Sequence, residues 1–221
     1  MKVDPSVKEK YPGFVTGYII ARGVKIEKTL SGLEEVKRKV FDGLKAKYGT
    51  VPMNEISEVV IYREFYKVMG VDPSKLRPPT EYLLRRALDG RFPVVNNLVD
   101  SCLLATIQHW VVVGVYDLDS VKGEPKVTLA SKIEKFETID GKQVTPVVGE
   151  VLLRDSVKII SAYIGGDAKA SMVTPKTKNA LMIAWNASGI SKSKVEEALA
   201  TISGYVKNFC QGKIEESKVL S

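Results

Sequence analysis

The chain has 221 residues, 44% hydrophobic and 27% charged, which is long enough for one sizeable core and excludes wholesale disorder. Lysine and arginine number 33 against 26 acidic residues. The resulting +7 points weakly to a polyanionic partner and serves equally as ordinary solubility charge. Two cysteines (Cys102, Cys210) and one histidine (His109) exclude a disulfide framework, a zinc finger and any multi-histidine metal site.

Residues 1–13 carry no apolar stretch of signal-peptide length, and no apolar run approaches a membrane span, so a cytoplasmic protein without a membrane partner is expected. Mixed apolar residues over 14–26 then predict a strand interrupted by glycine. Ser31-Gly32-Leu33-Glu34 has the form of a capping box, and Leu33, Val36, Val40, Phe41, Leu44 and Tyr48 continue one helical face until Gly49. A second helix is expected over 55–69. After a proline-rich connection, Thr80 should cap a third over 81–88, carrying Arg85 and Arg86 and stopped by Asp89-Gly90. Asn96-Asn97 opens an almost wholly apolar helix ending at His109, which should be central and buried.

Beyond His109 the pattern turns to short strands, at 111–116, 127–129, 133–139, 143–148, 151–153, 157–163 and 180–184. Asp140-Gly141 is the strongest hairpin signal among them. Ser193-Lys194-Val195-Glu196 is a second capping-box pattern, opening a C-terminal helix with Val195, Leu199, Ile202, Val206 and Phe209 on one stripe. Residues 213–221 read as a frayed tail, leaving 1–212 as a single domain. Helices first, strands next and a helix last argue an α+β fold rather than a βαβ nucleotide fold.

Phosphate-loop and dinucleotide glycine motifs are absent. The most site-like loop is Gly165-Gly166, followed by Asp167, Lys169, Ser171, Thr174 and Thr177. Adjacent glycines admit close approach of a ligand and can present N–H groups to an oxyanion; the plainer reading is a turn after a strand. His109, at the end of an apolar helix, reads first as a packed residue and second as a general base. Asp117 and Asp119 read as turn chemistry before Gly123. Arg85, Arg86, Lys169, Lys176 and Lys178 are the basic residues that would neutralise phosphates if they converged.

Five stretches together resemble the editing domain of the phenylalanyl-tRNA synthetase beta subunit, and more closely its stand-alone single-domain relatives. They are DPSKLRPPTEYLLRRALDGRFPVVNNLVD (72–100), VYDLDSVKG (115–123), KFETIDGK (135–142), GEVLLRD (149–155) and GGDAKASMVTPKT (165–177), within a family-like core of about 56–185. The resemblance implies N-terminal helices packed on a mostly antiparallel, partly open, barrel-like sheet, with a C-terminal helix. It also implies a tRNA partner rather than DNA, an aminoacyl or amino-acid ligand, and no cofactor. Gly165, Gly166, Ser171, Thr174, Thr177 and Asn97 become the candidate ligand contacts. Two activities follow as alternatives: a trans-editing hydrolase of mischarged aminoacyl-tRNA, or a non-catalytic RNA- or amino-acid-binding module. The family's polar Thr, Asn and His positions fall on Cys102, Leu103 and Gly114, and an acidic substrate-reading position falls on Met172. A pocket that recognises a phenol through buried polar groups cannot be built from those four, so the resemblance assigns no catalytic residue.

Overall fold

Residues 1–131 and 133–220 are described by a computed structural model, with six helices and eleven strands among them. The strand expected over 14–26 is β2 (Thr16–Arg22), cut off where Gly23 turns the chain at a φ of +66°. It follows β1 (Lys2–Val3) and α1 (Pro5–Lys10), the latter capped by Asp4 accepting from the Ser6 N–H. Next come α2 (Ser31–Tyr48), α3 (Ser57–Val68), α4 (Pro79–Leu88) and α5 (Asn97–His109). The strand-rich half contributes β3 (Val112–Asp117), β4 (Lys126–Leu129), β5 (Phe136–Glu137), β6 (Gln143–Val144), β7 (Val151–Arg154), β8 (Ile159–Ala162), β9 (Gly166–Asp167) and β10 (Asn179–Trp185). Helix α6 (Lys192–Cys210) and strand β11 (Lys213–Leu220) complete the order.

Three sheets form, and none closes into a barrel. The four-stranded sheet runs β11-β2-β10-β3, antiparallel throughout, with Leu181 of β10 opposite Ile20 on one side and Tyr116 on the other. The five-stranded sheet runs β1-β4-β7-β8-β9 and is antiparallel apart from the β1–β4 pair. The hairpin β5–β6 stands apart as its own two-stranded sheet, turning through Gly141 at a φ of +83° and tied to the segment after β9 by a backbone bridge, Thr138 to Ala168, and by the Lys169–Glu137 ion pair. Helices α5 and α6 pack on each other, α5 against β3 and α6 against β2. A helix-only cluster of Leu33, Leu83, Ala87, Leu104 and Ile107 joins α2, α4 and α5, while the main core unites both large sheets with the helices. Among the described residues no helix is long and apolar enough to cross a membrane.

The tail departs from expectation. Residues 213–220 are not frayed but pair with β2 from Lys213–Arg22 to Leu220–Thr16, with a bulge between Ile214 and Glu216. Their sequence, KIEESKVL, shows little alternation because most of its side chains are exposed at the sheet edge, where no apolar face is required. Cross-strand contacts hold it instead: the Tyr18 hydroxyl donates to Glu216 at 2.5 Å, and Arg22 pairs with Glu215 at 2.5 Å.

The cap predictions also shift. Asn96 caps α5 as expected, accepting from the Val99 N–H. At α2, however, Leu30 occupies the N-cap and Ser31 is already helical, because Glu34 is drawn away to the Lys37 ammonium at 2.6 Å. Ser191, not Ser193, precedes α6. Helix α4 opens at Pro79, whose fixed φ suits the first turn, leaving the Thr80 hydroxyl buried inside it without a hydrogen-bond partner among the described residues.

Candidate functional site

The double glycine is placed where two sheets and the hairpin meet. A side chain at Gly165 would press on Ala162 and Val144, each 3.1 Å from its Cβ, so this backbone rides directly on the hairpin. Gly166 has open space but a φ of +88°, which only glycine adopts without strain. Of the two glycine N–H groups expected to face a ligand, that of Gly165 is used otherwise. It donates to Glu150 Oε1 at 2.8 Å, beside the Ile164 N–H at 2.6 Å, and Val147 N–H donates to Oε2 at 3.0 Å. Burial pushes the Glu150 carboxyl above its ordinary range, and these three donors pull against that shift.

Asp167 follows the glycines. Its Oδ1 accepts from the Tyr116 and Ser161 hydroxyls, both at 2.8 Å, while Oδ2 has no hydrogen-bond partner among the described residues. Burial raises this carboxyl too, with the two hydroxyls acting in the opposite sense. Tyr116 reaches it because Gly114, two residues earlier on the same face of β3, has no side chain: a Cβ there would collide with the Tyr116 hydroxyl. The position aligned with the family's histidine is therefore covered by a phenol. Met172, at the aligned acidic position, forms a lone bridge to Tyr116. Cys102 is buried, its thiol pushed far up by burial, and Leu103 turns into the helix-only cluster.

Beside these groups lies a cleft of about 570 Å³. Val71 and Leu76 from the α3–α4 connection, Ile139 and Val144 from the hairpin region, and Val147 and Ile164 supply apolar wall. Glu150, Gly165, Gly166 and Asp167 line it as well. Lys142 and Asp140, also on the lining, are paired at 2.5 Å; that ammonium is the main reason the Asp140 carboxyl is held down at about 2. The cleft is thus apolar and acidic, open, and free of histidine.

Only Gly165 and Gly166 of the six sequence-predicted ligand contacts line this cleft. Ser171 is buried with its hydroxyl on the Ala168 carbonyl at 3.2 Å. Thr174 and Thr177 form a turn fastened to β3, with the Thr177 hydroxyl donating to Asp117 at 2.6 Å. Asn97 accepts from the Glu27 N–H and donates to the carbonyls of Lys25 and Phe209, so its amide joins a loop to two helices. His109 takes the packed reading: it bonds the Thr201 hydroxyl at 2.8 Å and lies 3.3 Å from Glu197, with burial lowering its pKa. Of the basic residues, Arg85 is tied to Glu81, Arg86 to the Arg91 carbonyl and Lys169 to Glu137. Lys176 and Lys178 are exposed with no ion pair among the described residues. Helix α4, which carries Arg85 and Arg86, packs on α2, α3 and α5. Sequence reasoning missed Glu150 and the free oxygen of Asp167. An acidic residue just before an apolar strand was the signal for the first; nothing local announced the second. No group of three or more His, Cys, Asp or Glu able to hold a metal occurs among the described residues.

Comparison with known proteins places these features. In three dimensions the chain is similar to an N-terminal fragment of the phenylalanyl-tRNA synthetase beta-subunit from Pyrococcus horikoshii, at 15% identity and a TM-score of 0.52. The match covers 100% of this chain and 53% of that one, so the chain spans about half the length of that structure. At this identity the likeness is one of fold. No curated protein sequence matches the chain. The B3/4 domain family matches over residues 61–211, well over half of the sequence and including α4, α5, the cleft and α6. The chain belongs to the B3/4 domain family.

Proposed function

We propose that the protein is tRNA-associated and that its cleft beside Gly165–Gly166 receives the aminoacyl end of a charged tRNA. The observation that carries this reading is the cleft itself: an apolar wall together with Asp167, whose Oδ2 has no hydrogen-bond partner among the described residues. An aminoacyl group has the matching parts, a hydrocarbon side chain and an ammonium. The +7 charge supports a polyanionic partner for the remainder of the surface.

Two forms of the activity remain distinct. In the trans-editing form, Asp167 takes a proton from water as the water oxygen bonds to the ester carbonyl carbon, the C–O bond to the ribose breaks, and the same proton passes to the departing ribose oxygen, giving a free amino acid and a ribose hydroxyl. In the binding form the ester stays intact. The binding form has more support, because Glu150 holds the Gly165 N–H that would otherwise steady an oxyanion, and Tyr116 fills the place of the family's histidine.

Filter binding of uncharged, correctly charged and mischarged tRNA over a salt series, with acyl release followed in parallel, tests this. The expected result is affinity that falls with salt, exceeds that for uncharged tRNA several-fold when the tRNA is charged, and leaves the release rate unchanged. Faster release from any mischarged tRNA replaces the binding form with the hydrolase. Equal affinity for charged and uncharged tRNA removes the cleft from the reading, and no affinity even at low salt removes tRNA.

A further inference from the structure

Five lysines from three distant stretches are exposed and have no ion pair among the described residues. They are Lys25 in the β2–α2 loop, Lys176 and Lys178 before β10, Lys207 in the last turn of α6 and Lys213 at the start of β11. The backbone gathers them at one end of the four-stranded sheet. Lys213 stands opposite Arg22, and Arg22 opposite Asn179, in one row across β11, β2 and β10. The Lys178 carbonyl accepts from the Val24 N–H at 2.9 Å, and the Lys25 N–H donates to the Cys210 carbonyl at 2.8 Å. Gly212 closes the gap. A Cβ there would meet Val24 Cγ1 at 2.7 Å, and its N–H donates to the carbonyl of Val206, the residue before Lys207.

Over 22–28, 117–119, 176–179 and 207–215 the cations number seven and the acids four, so the region is net positive. Three of those acids are engaged locally, Glu215 by Arg22, Asp117 by the Thr177 hydroxyl and Asp119 by the Asn179 amide, which leaves Glu27. The negative end of α6 is covered as well: the Asn97 amide takes its Phe209 carbonyl and the Lys25 N–H its Cys210 carbonyl. Phe209, the one aromatic ring in these stretches, is half-buried against Tyr205, so no ring here stacks on a base. Free ammoniums without stacking rings contact phosphates and carry no sequence information. We propose that this end of the four-stranded sheet is the surface that holds RNA, through the phosphodiester backbone and without regard to base sequence. This rests on the tRNA reading above for the identity of the polyanion and adds where it sits. The surface and the cleft are fastened to adjacent residues of β3: Tyr116 bonds Asp167, and Asp117 bonds Thr177 between Lys176 and Lys178.

Fluorescence anisotropy on the full chain, with charged and uncharged tRNA and two RNA hairpins of unrelated sequence over a salt series, tests the proposal. Lys25→Ala, Lys207→Ala and Lys213→Ala combined should weaken every RNA alike, by roughly tenfold or more at low salt, and reduce the salt slope by about 3. A control replacing Lys8, Lys45 and Lys126 by alanine removes the same charge from lysines that are also exposed and without an ion pair among the described residues. It should change affinity by less than about threefold, since charges away from the contact are screened. Formaldehyde cross-linking of the unaltered protein to tRNA, read by mass spectrometry, should mark the five lysines, and it stands even if a variant folds poorly. Equal losses from the two triple variants overturn the proposal. So do a marked preference for one hairpin, cross-links confined to other lysines, or anionic phospholipid vesicles bound as tightly as RNA. The outcomes also separate the two levels. Full tRNA affinity in the first triple variant sinks the surface alone. Affinity lost in that variant but indifferent to charging of the tRNA keeps the surface and removes the cleft reading. No affinity of the unaltered protein for any of the RNAs ends both.

Discussion

Gly114 and Tyr116 occupy one face of β3, and the absence of a side chain at the first allows the second to reach Asp167. Gly114→Ala should force the Tyr116 ring out of a packed interior and break its bond to the carboxylate. A loss of about 1–3 kcal/mol in denaturant unfolding is expected, and an unchanged midpoint would mean the ring has room to move. Asp167 itself sets up a pH experiment. Burial raises its folded carboxyl above the unfolded value, so the native state is favoured by protonation and its stability falls as pH rises from the unfolded carboxylate range through the raised value. Asp167→Asn does not titrate. The stability of the variant relative to the wild type should therefore grow across that window and level off above it, as read by thermal midpoints from acid to neutral pH. Glu150 shifts in the same direction and accounts for dependence that the variant retains. A flat difference would contradict the assignment. The double glycine stood out in the sequence because glycine pairs punctuate a chain. The bond between Asp167 and a tyrosine 51 residues earlier did not, because only the pairing of strands brings them together.

Elements were legible in proportion to how much of their surface is buried on one side. Helices α2, α3, α5 and α6 announced themselves by apolar stripes, and Asp140-Gly141 announced the β5–β6 hairpin. Strand β11 did not, since an exposed edge needs no alternation, and the stretch expected as a strand over 133–139 shortened to Phe136–Glu137, where β6 offers a partner. The β11 finding has a direct test. A chain cut after Gly212 would lose every contact of β2 along one edge and expose that edge to other chains. Its melting midpoint should drop by roughly 5 °C or more, with aggregation by light scattering; an unaltered midpoint would return the segment to a frayed tail. In α4, the Thr80 hydroxyl is buried without a partner among the described residues, so Thr80→Val, close to isosteric, should stabilise by about 1 kcal/mol. A destabilised variant would reveal a partner for that hydroxyl.

At the level of the molecule, the α+β order followed from helices preceding strands, whereas each of the two larger sheets includes a pairing across more than a hundred residues, β1 with β4 and β2 with β10. Net charge gave a partner class without a location. Three of the five basic residues singled out are held by neighbours, whereas Lys176 and Lys178 have no ion pair among the described residues. Replacing both lysines by alanine should weaken tRNA binding more than replacing Arg85 and Arg86, and should reduce the salt slope by roughly 2. An equal effect from the two pairs would place the RNA elsewhere on the surface.

Strand β2 holds a further consequence, for the newborn chain rather than the finished one. Tyr18, Ile19 and Ile20 leave the ribosome well before their sheet partners, which are Met182 and its neighbours in β10 and the segment around Glu216, 198 residues beyond Tyr18. At common translation speeds β10 follows β2 by roughly 8–32 s. Through that interval a mostly buried strand has neither neighbour, and helices α2, α4 and α5 can assemble around their own cluster before it is paired. The middle of the sheet is synthesised first and shielded last, so the hazard of misassociation for this protein falls during synthesis, while β2 waits for its partners.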